Sequence, residues 1–260
     1  MLLKPTFLIG LAIYSTVQSL QTFSNKGTYP GNWDDSWVDP LTQGSIDEVS
    51  NIYYENTTSI KMTQTYIPTG YTGRYHSEVH KFNAYKRGDK GFYGFMFRLS
   101  KDWQFEPAQG YNLAQFIADF TDLPCDEDWI PSSMLWIYGN KLQSRVKTGN
   151  VCPTTAQDIQ PFADLATVTA GDWHKVLIQA SWKSDLTGYY KIWFDDVIVV
   201  NATGIRTTVA EARYFQFRVG LYANSWTYPK VMLGTQGFRQ VWFDEIAIGT
   251  TYKDADPDQW

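Results

Sequence analysis

YFQFRVGLY, at residues 214–222, is the stretch that most clearly predicts the fold. Apolar side chains occupy every second position, and the alternate positions hold Gln216, Arg218, Gly220 and Tyr222. Because successive side chains of a β-strand point to opposite faces, the stretch predicts a strand with one face in a core and one facing a ligand or solvent. The glycine is expected to leave open space beside Tyr222, as the floor of a cleft requires.

A second alternating stretch is RYHSEVH, at residues 74–80. Arg74, His76, Glu78 and His80 are two residues apart, so they share one face of a strand. A core face would not tolerate four such groups without extensive pairing. The row is therefore either a binding surface or an ordinary solvated face. In the nearly apolar strand at 111–120, Gln115 is a single amide that needs a partner, either structural or a substrate carboxylate.

Short alternating segments of this kind recur along the chain between Gly, Pro, Asn and Asp residues, and helical periodicity is scarce. Nine or more strands without strand–helix alternation predict an all-β, two-sheet sandwich, and residues 20–260 fit one such domain. Residues 153–170 lack a strand pattern and are expected to form a short helix or a loop. The predicted strands are 60–66, 74–82, 91–99, 112–120, 134–138, 173–181, 188–194, 214–223 and 240–248.

Residues 1–19 have the layout of a cleaved secretory signal, with an early positive charge, an apolar run and small residues before the cleavage point. The run is too short to span a bilayer, so we expect a secreted, extracellular chain with no membrane partner. Asn56 and Asn201 stand in sequons that accept N-glycans in a eukaryotic source. Cys125 and Cys152 are the only cysteines, and in an exported protein they predict one disulfide; two free buried thiols are the alternative.

The aromatic content and the net charge of the chain limit the classes of ligand that it can bind. Aromatic residues make up 17% of the chain, more than a core of this size needs, and the surplus suits a sugar-binding cleft. The formal net charge of −5 argues against nucleic acid as a partner. It permits an acidic polysaccharide, provided that the cleft itself is locally basic.

Four segments resemble strands of the jelly-roll polysaccharide lyases. RYHSEVH at 74–80 resembles their arginine-rich strand, and QFI at 115–117 resembles their Gln-x-His strand. Residues 189–196 and 241–249 resemble the strand before their convex turn and their closing strand. Over essentially the whole mature chain the sequence is most similar to polysaccharide lyase family 20, the fungal glucuronan lyases. The resemblance implies a concanavalin-like β-jelly roll.

This resemblance implies β-elimination on a uronic-acid chain, which removes the C5 proton, neutralises the adjacent carboxylate and protonates O4 as it leaves. Arg74, His76 and Gln115 are expected to neutralise the carboxylate. Tyr222 is the expected base and acid, because the C5 hydrogen and O4 of β-1,4-linked glucuronate leave from the same side. Ile117 departs from the pattern, since alginate lyases of this fold carry a catalytic histidine there, so His76 or His80 must replace it.

Other side chains are expected to bind the sugar chain by charge or stacking. The resemblance implies no catalytic cofactor and one structural calcium away from the cleft, for which Asp244 with oxygens near residues 31–34 is the expected site. Nothing in the sequence indicates an obligate oligomer, so a monomer is expected. The expected substrate-binding residues are His80, Lys191, Arg218, Trp136, Tyr138 and Trp226.

Three other functions stay open at this point. An alginate-type lyase would share the fold, and a non-catalytic lectin-like module would use the same aromatic residues. A glycoside hydrolase needs two carboxylates facing one cleft, and its usual Glu-x-Asp strand signatures are absent from the sequence. The combination of arginine, histidine, glutamine and tyrosine at same-face positions favours a lyase, since a pure binder does not need it.

Overall fold

The chain folds into two antiparallel β-sheets packed face to face, as a computed structural model describes for residues 20–227 and 231–260. The secretory signal predicted for residues 1–19 lies outside the described residues. In the part of the chain that is described, no helix is both long and apolar enough to cross a membrane.

Fifteen strands and two short α-helices are present in the described ranges. The strands are β1 Gln21–Asn25, β2 Asp35–Val38, β3 Ser45–Val49, β4 Ser59–Thr65, β5 His76–Lys86, β6 Lys90–Leu99, β7 Gly110–Asp119, β8 Trp129–Tyr138, β9 Lys141–Gly149, β10 Gln157–Thr167, β11 Trp173–Ser181, β12 Gly188–Phe194, β13 Val197–Ile205, β14 Tyr214–Tyr222 and β15 Phe238–Gly249. The helices are α1 Asn224–Thr227 and α2 Tyr252–Ala255, and a 3₁₀ turn spans Thr154–Ala156.

The strands divide between an eight-stranded and a seven-stranded sheet. The eight-stranded sheet runs β13-β12-β11-β6-β15-β4-β3, with β1 also pairing with β15. The seven-stranded sheet runs β10-β9-β8-β7-β14-β5-β2. β14 therefore lies between β7 and β5, which places side by side the three strands whose polar residues were noted in the sequence.

The core between the sheets is rich in aromatic side chains. Phe116 of β7 and Phe217 of β14 stack with ring centroids 5.0 Å apart, and Phe95 of the opposite sheet lies 6.3 Å from Phe217. The apolar positions of the 214–222 stretch are fully buried, which confirms the alternation predicted from sequence. Since one face of β14 is fixed in this core, its other face must point out of the sandwich.

All nine predicted strands are present, seven of them with both ends within two residues of the expected positions, whereas β5 ends four residues later and β8 begins five residues earlier than predicted; six other strands were missed. The expectation of a short helix or a loop over 153–170 was wrong for most of the segment, because only Thr154–Ala156 forms a 3₁₀ turn and β10 occupies Gln157–Thr167. β10 is an edge strand whose residues are mainly exposed, and a bulge between Phe162 and Ala166 interrupts its pairing with β9. A strand that buries neither face has no alternating pattern to detect.

The predicted disulfide between Cys125 and Cys152 is confirmed. It joins the β7–β8 connection to the β9–β10 connection, with the two Cα atoms 5.3 Å apart. The bond therefore ties together the loops at one end of the seven-stranded sheet.

Residues 252–258 pack on part of the outer face of the eight-stranded sheet. Lys175 of β11 places its Nζ 3.0 Å from Asp256 and 2.6 Å from Asp196, and it also contacts Asp258. A Cβ on Gly94 would collide with the carbonyl oxygen of Ala255, so this segment packs directly on the sheet.

Candidate active site

Strand register assembles two rows of polar side chains on the outer face of the seven-stranded sheet. In the first row His76 pairs with Tyr222, and Tyr222 pairs with Asn112. In the second row the pairing order is His80, Arg218, Gln115, Met134 and Arg145.

These rows lie along a cleft of about 300 Å³. All four residues predicted to be catalytic line it, namely Arg74, His76, Gln115 and Tyr222. Arg74 differs in one respect from the sequence expectation, because it is exposed and precedes β5 instead of lying on the strand. Ile117 also lines the cleft, so the position that lacks a histidine is part of the site.

Glu78 is buried beneath the cleft and organises two of these residues. His76 Nδ1 lies 2.7 Å from Glu78 Oε2, and Gln115 Nε2 donates to Glu78 Oε1 at 2.8 Å. Burial alone would raise the pKa of Glu78, but His76, Arg218 and His80 outweigh it and lower that pKa to about 2. An ionised carboxylate only accepts hydrogen bonds, so His76 must carry its proton on Nδ1.

The hydrogen bond to Glu78 fixes the orientation of the His76 imidazole in the cleft. With Nδ1 directed at Glu78, the opposite nitrogen Nε2 is buried and has no hydrogen-bond partner in the described structure. The Gln115 amide is likewise fixed, because its NH₂ group must face the carboxylate of Glu78. Gln115 thus lines the cleft, but its partner is the structural one of the two that the sequence allowed, because its NH₂ group faces Glu78 and not a substrate carboxylate.

Arg218 and His80 also lie near Glu78 and favour its ionised form. The Arg218 guanidinium lies 4.0 Å from Glu78 and stacks on Trp129, while its Nε donates to Gln216. His80 is buried, and burial with the nearby Arg218 lowers its pKa to about 4, so its imidazole is neutral at neutral pH. Both residues were predicted to bind substrate, yet both lie behind the cleft wall and support the residues that line it.

Tyr222 lies against the oriented histidine. The two rings have centroids 3.8 Å apart, and only 6% of Tyr222 is exposed. Gly220, two residues earlier, does not leave the open space that the sequence suggested. A Cβ at that position would come within 2.6 Å of Glu78 Cα, so the glycine allows β5 to approach β14 closely.

The remaining predicted sugar-binding residues divide into two groups. Trp136 and Tyr138 lie on β8 on the cleft face, since Trp136 pairs with Asn112, and Tyr138 is 48% exposed. Lys191 lies on β12 of the opposite sheet and cannot reach the cleft. Trp226 is 1% exposed and packs edge-on against Tyr75 in the core, so its assignment as a stacking platform was wrong.

Sequence reasoning missed several residues of the site. Arg145, Glu127 and Trp129 line the cleft, and Lys147 forms a 2.7 Å ion pair with Glu127. Trp37 of β2 is 51% exposed and pairs with Glu78 at the sheet edge. The alternation of KLQSRVKTG over β9 could have revealed Arg145, because leucine, serine and valine occupy the intervening buried positions.

A second depression, of about 330 Å³, lies between the edge strands β10 and β13. Its lining is mostly apolar and consists of Phe162, Ala163, Leu165, Val199, Val200, Asn201 and Ala202. None of these lining residues is an acid, a base or a nucleophile, so this depression offers no group for proton transfer.

The calcium expected at Asp244 has a partial set of ligands. Asp244 and Glu245 are both fully buried, and burial raises their pKa values to about 6 and about 7. Glu245 Oε2 has no hydrogen-bond partner, and Gly27 approaches Asp244 so closely that a Cβ would lie 2.7 Å from its Oδ1. Hard oxygen ligands and an unsatisfied buried acceptor suit calcium.

Two features limit the number of side-chain ligands that this site offers to calcium. Asp34, in the segment expected to contribute oxygens, is instead bound by Lys81 and by the backbone N–H of Phe82. The described residues contain no group of three or more His, Cys, Asp and Glu side chains placed to hold a metal. A calcium at Asp244 and Glu245 would therefore also need carbonyl or amide oxygens.

Comparison with known proteins agrees with this architecture. The crystal structure of endo-β-1,4-glucuronan lyase from the fungus Trichoderma reesei is 52% identical, with a TM-score of 0.88 over 93% of this chain and 100% of that one. The marine PL-14 alginate lyase from Aplysia kurodai is 10% identical, with a TM-score of 0.57 over 89% and 100% of the two chains, which shows the fold alone. No curated protein matches the chain.

These matches confirm the β-jelly roll and the resemblance to the fungal glucuronan lyases. A family model described as polysaccharide lyase matches residues 18–247, nearly the whole of the described chain. The chain belongs to the polysaccharide lyase family.

Proposed function

We propose that this lyase cleaves β-1,4-linked glucuronic acid polymers by β-elimination, with Tyr222 as both base and acid. The observation that carries the proposal is the contact of Tyr222 with His76 in a cleft that also contains Arg74 and Gln115. The 52% identity to an endo-β-1,4-glucuronan lyase supports the choice of substrate.

In the proposed reaction the Tyr222 phenolate takes the C5 proton. The electron pair left at C5 forms the C4=C5 double bond, and the C4–O4 bond breaks. The same phenol then returns its proton to the departing O4. One residue can do both because the C5 hydrogen and O4 lie on the same side of the β-1,4-linked ring. The products are a chain with a new reducing end and a chain with an unsaturated end.

Negative charge spreads onto the substrate carboxylate as the proton leaves, and the cleft must stabilise it. Arg74 supplies a full positive charge at the cleft mouth. His76 presents Nε2, which donates a hydrogen bond to the carboxylate when the imidazole is protonated on both nitrogens, while its Nδ1–H is held by Glu78. Donors that are already oriented before the reaction need no rearrangement as the charge develops, which is why such groups are effective in catalysis.

The arrangement of acids does not suit hydrolysis. A glycoside hydrolase places two carboxyl groups on either side of the scissile bond. Of the two glutamates near the cleft, Glu78 is buried beneath His76 and Gln115, and Glu127 is paired with Lys147. Neither is placed as a free acid opposite the other. A binding module alone would have no need for the Glu78–His76–Tyr222 arrangement.

A substrate panel tests the proposal. Purified protein is mixed separately with glucuronan, alginate, a heparin-type chain and a neutral β-glucan, while ultraviolet absorbance is recorded. We expect absorbance from the new conjugated double bond to rise fastest with glucuronan and not at all with β-glucan. A faster rise with alginate would reassign the substrate. Tight binding without any rise would identify a lectin-like module.

We also propose one structural calcium at Asp244 and Glu245, remote from the catalytic cleft. Calcium would neutralise two adjacent buried carboxylates and satisfy Glu245 Oε2. We expect chelation of calcium to lower the melting temperature of the wild-type protein and to change that of Glu245→Gln much less. Equal melting curves of the wild type with calcium and with chelator would contradict the site.

The chain is further proposed to be a secreted monomer with one catalytic domain. The signal pattern at residues 1–19 and the Cys125–Cys152 disulfide support export to an oxidising compartment. Asn201, on the edge strand β13, and Asn56 are both exposed. The amide of Asn56 donates to the buried Glu245, which makes that sequon less suited to an N-glycan.

A further inference from the structure

Arg145 is an arginine of the cleft that the proposed elimination does not use. It lies on β9 and shares a register row with Met134 and Gln115 on the outer face of the sheet. Neighbouring strands are about 4.8 Å apart, so Arg145 lies roughly 10 Å across the sheet from Gln115. That separation suits contact with a sugar other than the one whose bond is broken.

The Arg145 guanidinium is incompletely satisfied. Its Nη2 donates to Met134 Sδ at 2.9 Å, and a thioether is a weak acceptor. Its Nη1 is buried and has no hydrogen-bond partner in the described structure. A buried donor left without an acceptor is unfavourable, and a substrate oxygen entering the cleft would relieve this.

The other buried cations around the cleft already have carboxylate partners. Lys147 is paired with Glu127 at 2.7 Å, and Arg218 lies 4.0 Å from Glu78. Within residues 20–227 and 231–260, no carboxylate oxygen lies within 4.0 Å of the Arg145 guanidinium. Glu127 acts on Arg145 electrostatically but forms its ion pair with Lys147, so the Arg145 guanidinium keeps a donor for an anionic ligand.

We propose that Arg145 binds the carboxylate of a second sugar, one that is bound in the cleft but is not cleaved. The proposal rests on the proposed function, which supplies a chain carrying a carboxylate on every residue. The planar guanidinium offers paired N–H donors that match the two oxygens of a carboxylate. Binding would then require at least two carboxylates, which selects uronans over chains that carry isolated acidic sugars.

Oligosaccharide binding tests this subsite without turnover. The ligands are a glucuronan oligosaccharide and the same oligosaccharide with its carboxylates reduced to alcohols. Affinities are measured by calorimetry in a Tyr222→Phe background, with Arg145→Met as the test substitution. Arg98→Met is the matched control, because it removes an arginine from β6 in the opposite sheet.

We expect Arg145→Met to raise the Kd for the acidic oligosaccharide roughly 10- to 100-fold, the range for a lost charge-assisted hydrogen bond. The Kd for the reduced oligosaccharide should change little, and Arg98→Met should affect neither. Arg145→Lys keeps the charge without the paired donors and should recover part of the affinity. It also provides a second folded variant should Arg145→Met be unstable.

Two results would overturn the subsite. One is an unchanged Kd for the acidic oligosaccharide in Arg145→Met. The other is an equal loss of affinity for the acidic and the reduced oligosaccharides, which would indicate a structural role. Absence of elimination by the wild type would count against the proposed reaction. The Kd values for the acidic and the reduced oligosaccharides would still decide the subsite, because Kd does not depend on catalysis.

Discussion

Tyr222→Phe is expected to lower kcat on glucuronan by about 10⁴-fold, the upper end of the range for a general acid–base residue. The upper end applies because one phenol is proposed to perform both proton transfers. The phenylalanine ring keeps the packing against His76, so substrate binding and the melting temperature should be retained. Initial rates of absorbance increase, together with calorimetric Kd values, measure the two effects separately.

Tyr214→Phe is the matched control for this substitution. Tyr214 begins the same strand, at the end opposite to Tyr222, and is 52% exposed. Its replacement should leave kcat unchanged. Near-wild-type turnover by Tyr222→Phe would show that another group moves the proton, and loss of both binding and turnover would show that Tyr222 acts mainly in positioning the chain.

Glu78→Gln is expected to have the second-largest effect, although Glu78 does not contact substrate. The glutamine side chain presents an N–H group where His76 and Gln115 both need an acceptor, so the imidazole loses its fixed tautomer. A wrongly held histidine tautomer has cost a catalytic triad about 10⁴ in kcat, and we expect roughly 10² or more here. KM should change far less than kcat.

Nuclear magnetic resonance of the His76 imidazole nitrogens tests whether Glu78→Gln lowers activity by releasing the His76 tautomer or by unfolding the protein. In the wild type His76 should carry its proton on Nδ1, and in Glu78→Gln this preference should weaken or reverse. Glu211→Gln, at an exposed loop position, is the control. A variant with wild-type kcat, or with an unchanged His76 tautomer, would contradict the positioning role.

Glu78→Gln should also alter how the stability of the protein depends on pH in the acid range. The pKa of Glu78 is lowered from 4.5 to about 2, so its ionised form contributes stability that is full above pH 4.5 and is lost as the pH falls towards 2. The groups that set this pKa are His76 and His80 on β5 and Arg218 on β14. Glu78→Gln should lose about 3 kcal/mol at neutral pH and show a shallower decline between pH 4.5 and 2.

The fold was largely predictable because strands that bury one face carry an alternating pattern. β14 and β5 follow that pattern, and register then brought the four predicted catalytic residues into one cleft. β10 could not be found in this way, since an exposed edge strand has no apolar face. Residues distant in sequence, such as Arg145 and Glu127, join the site only through strand order, which local periodicity does not encode.

Side-chain burial and sheet membership caused the clearest errors in the predicted site. Trp226 follows a cleft strand directly, but α1 turns its side chain into the aromatic core. Lys191 shares a strand face with Tyr189 and Trp193, but that face belongs to the opposite sheet. An alternating pattern shows that a strand has two faces; it does not show which sheet the strand joins.

The most direct test of the account is to measure double bonds and reducing ends together while purified protein acts on glucuronan. Elimination produces one conjugated double bond for each new reducing end, so we expect the two quantities to rise in a ratio of one to one. New reducing ends without ultraviolet absorbance would mean hydrolysis and would contradict the proposed reaction.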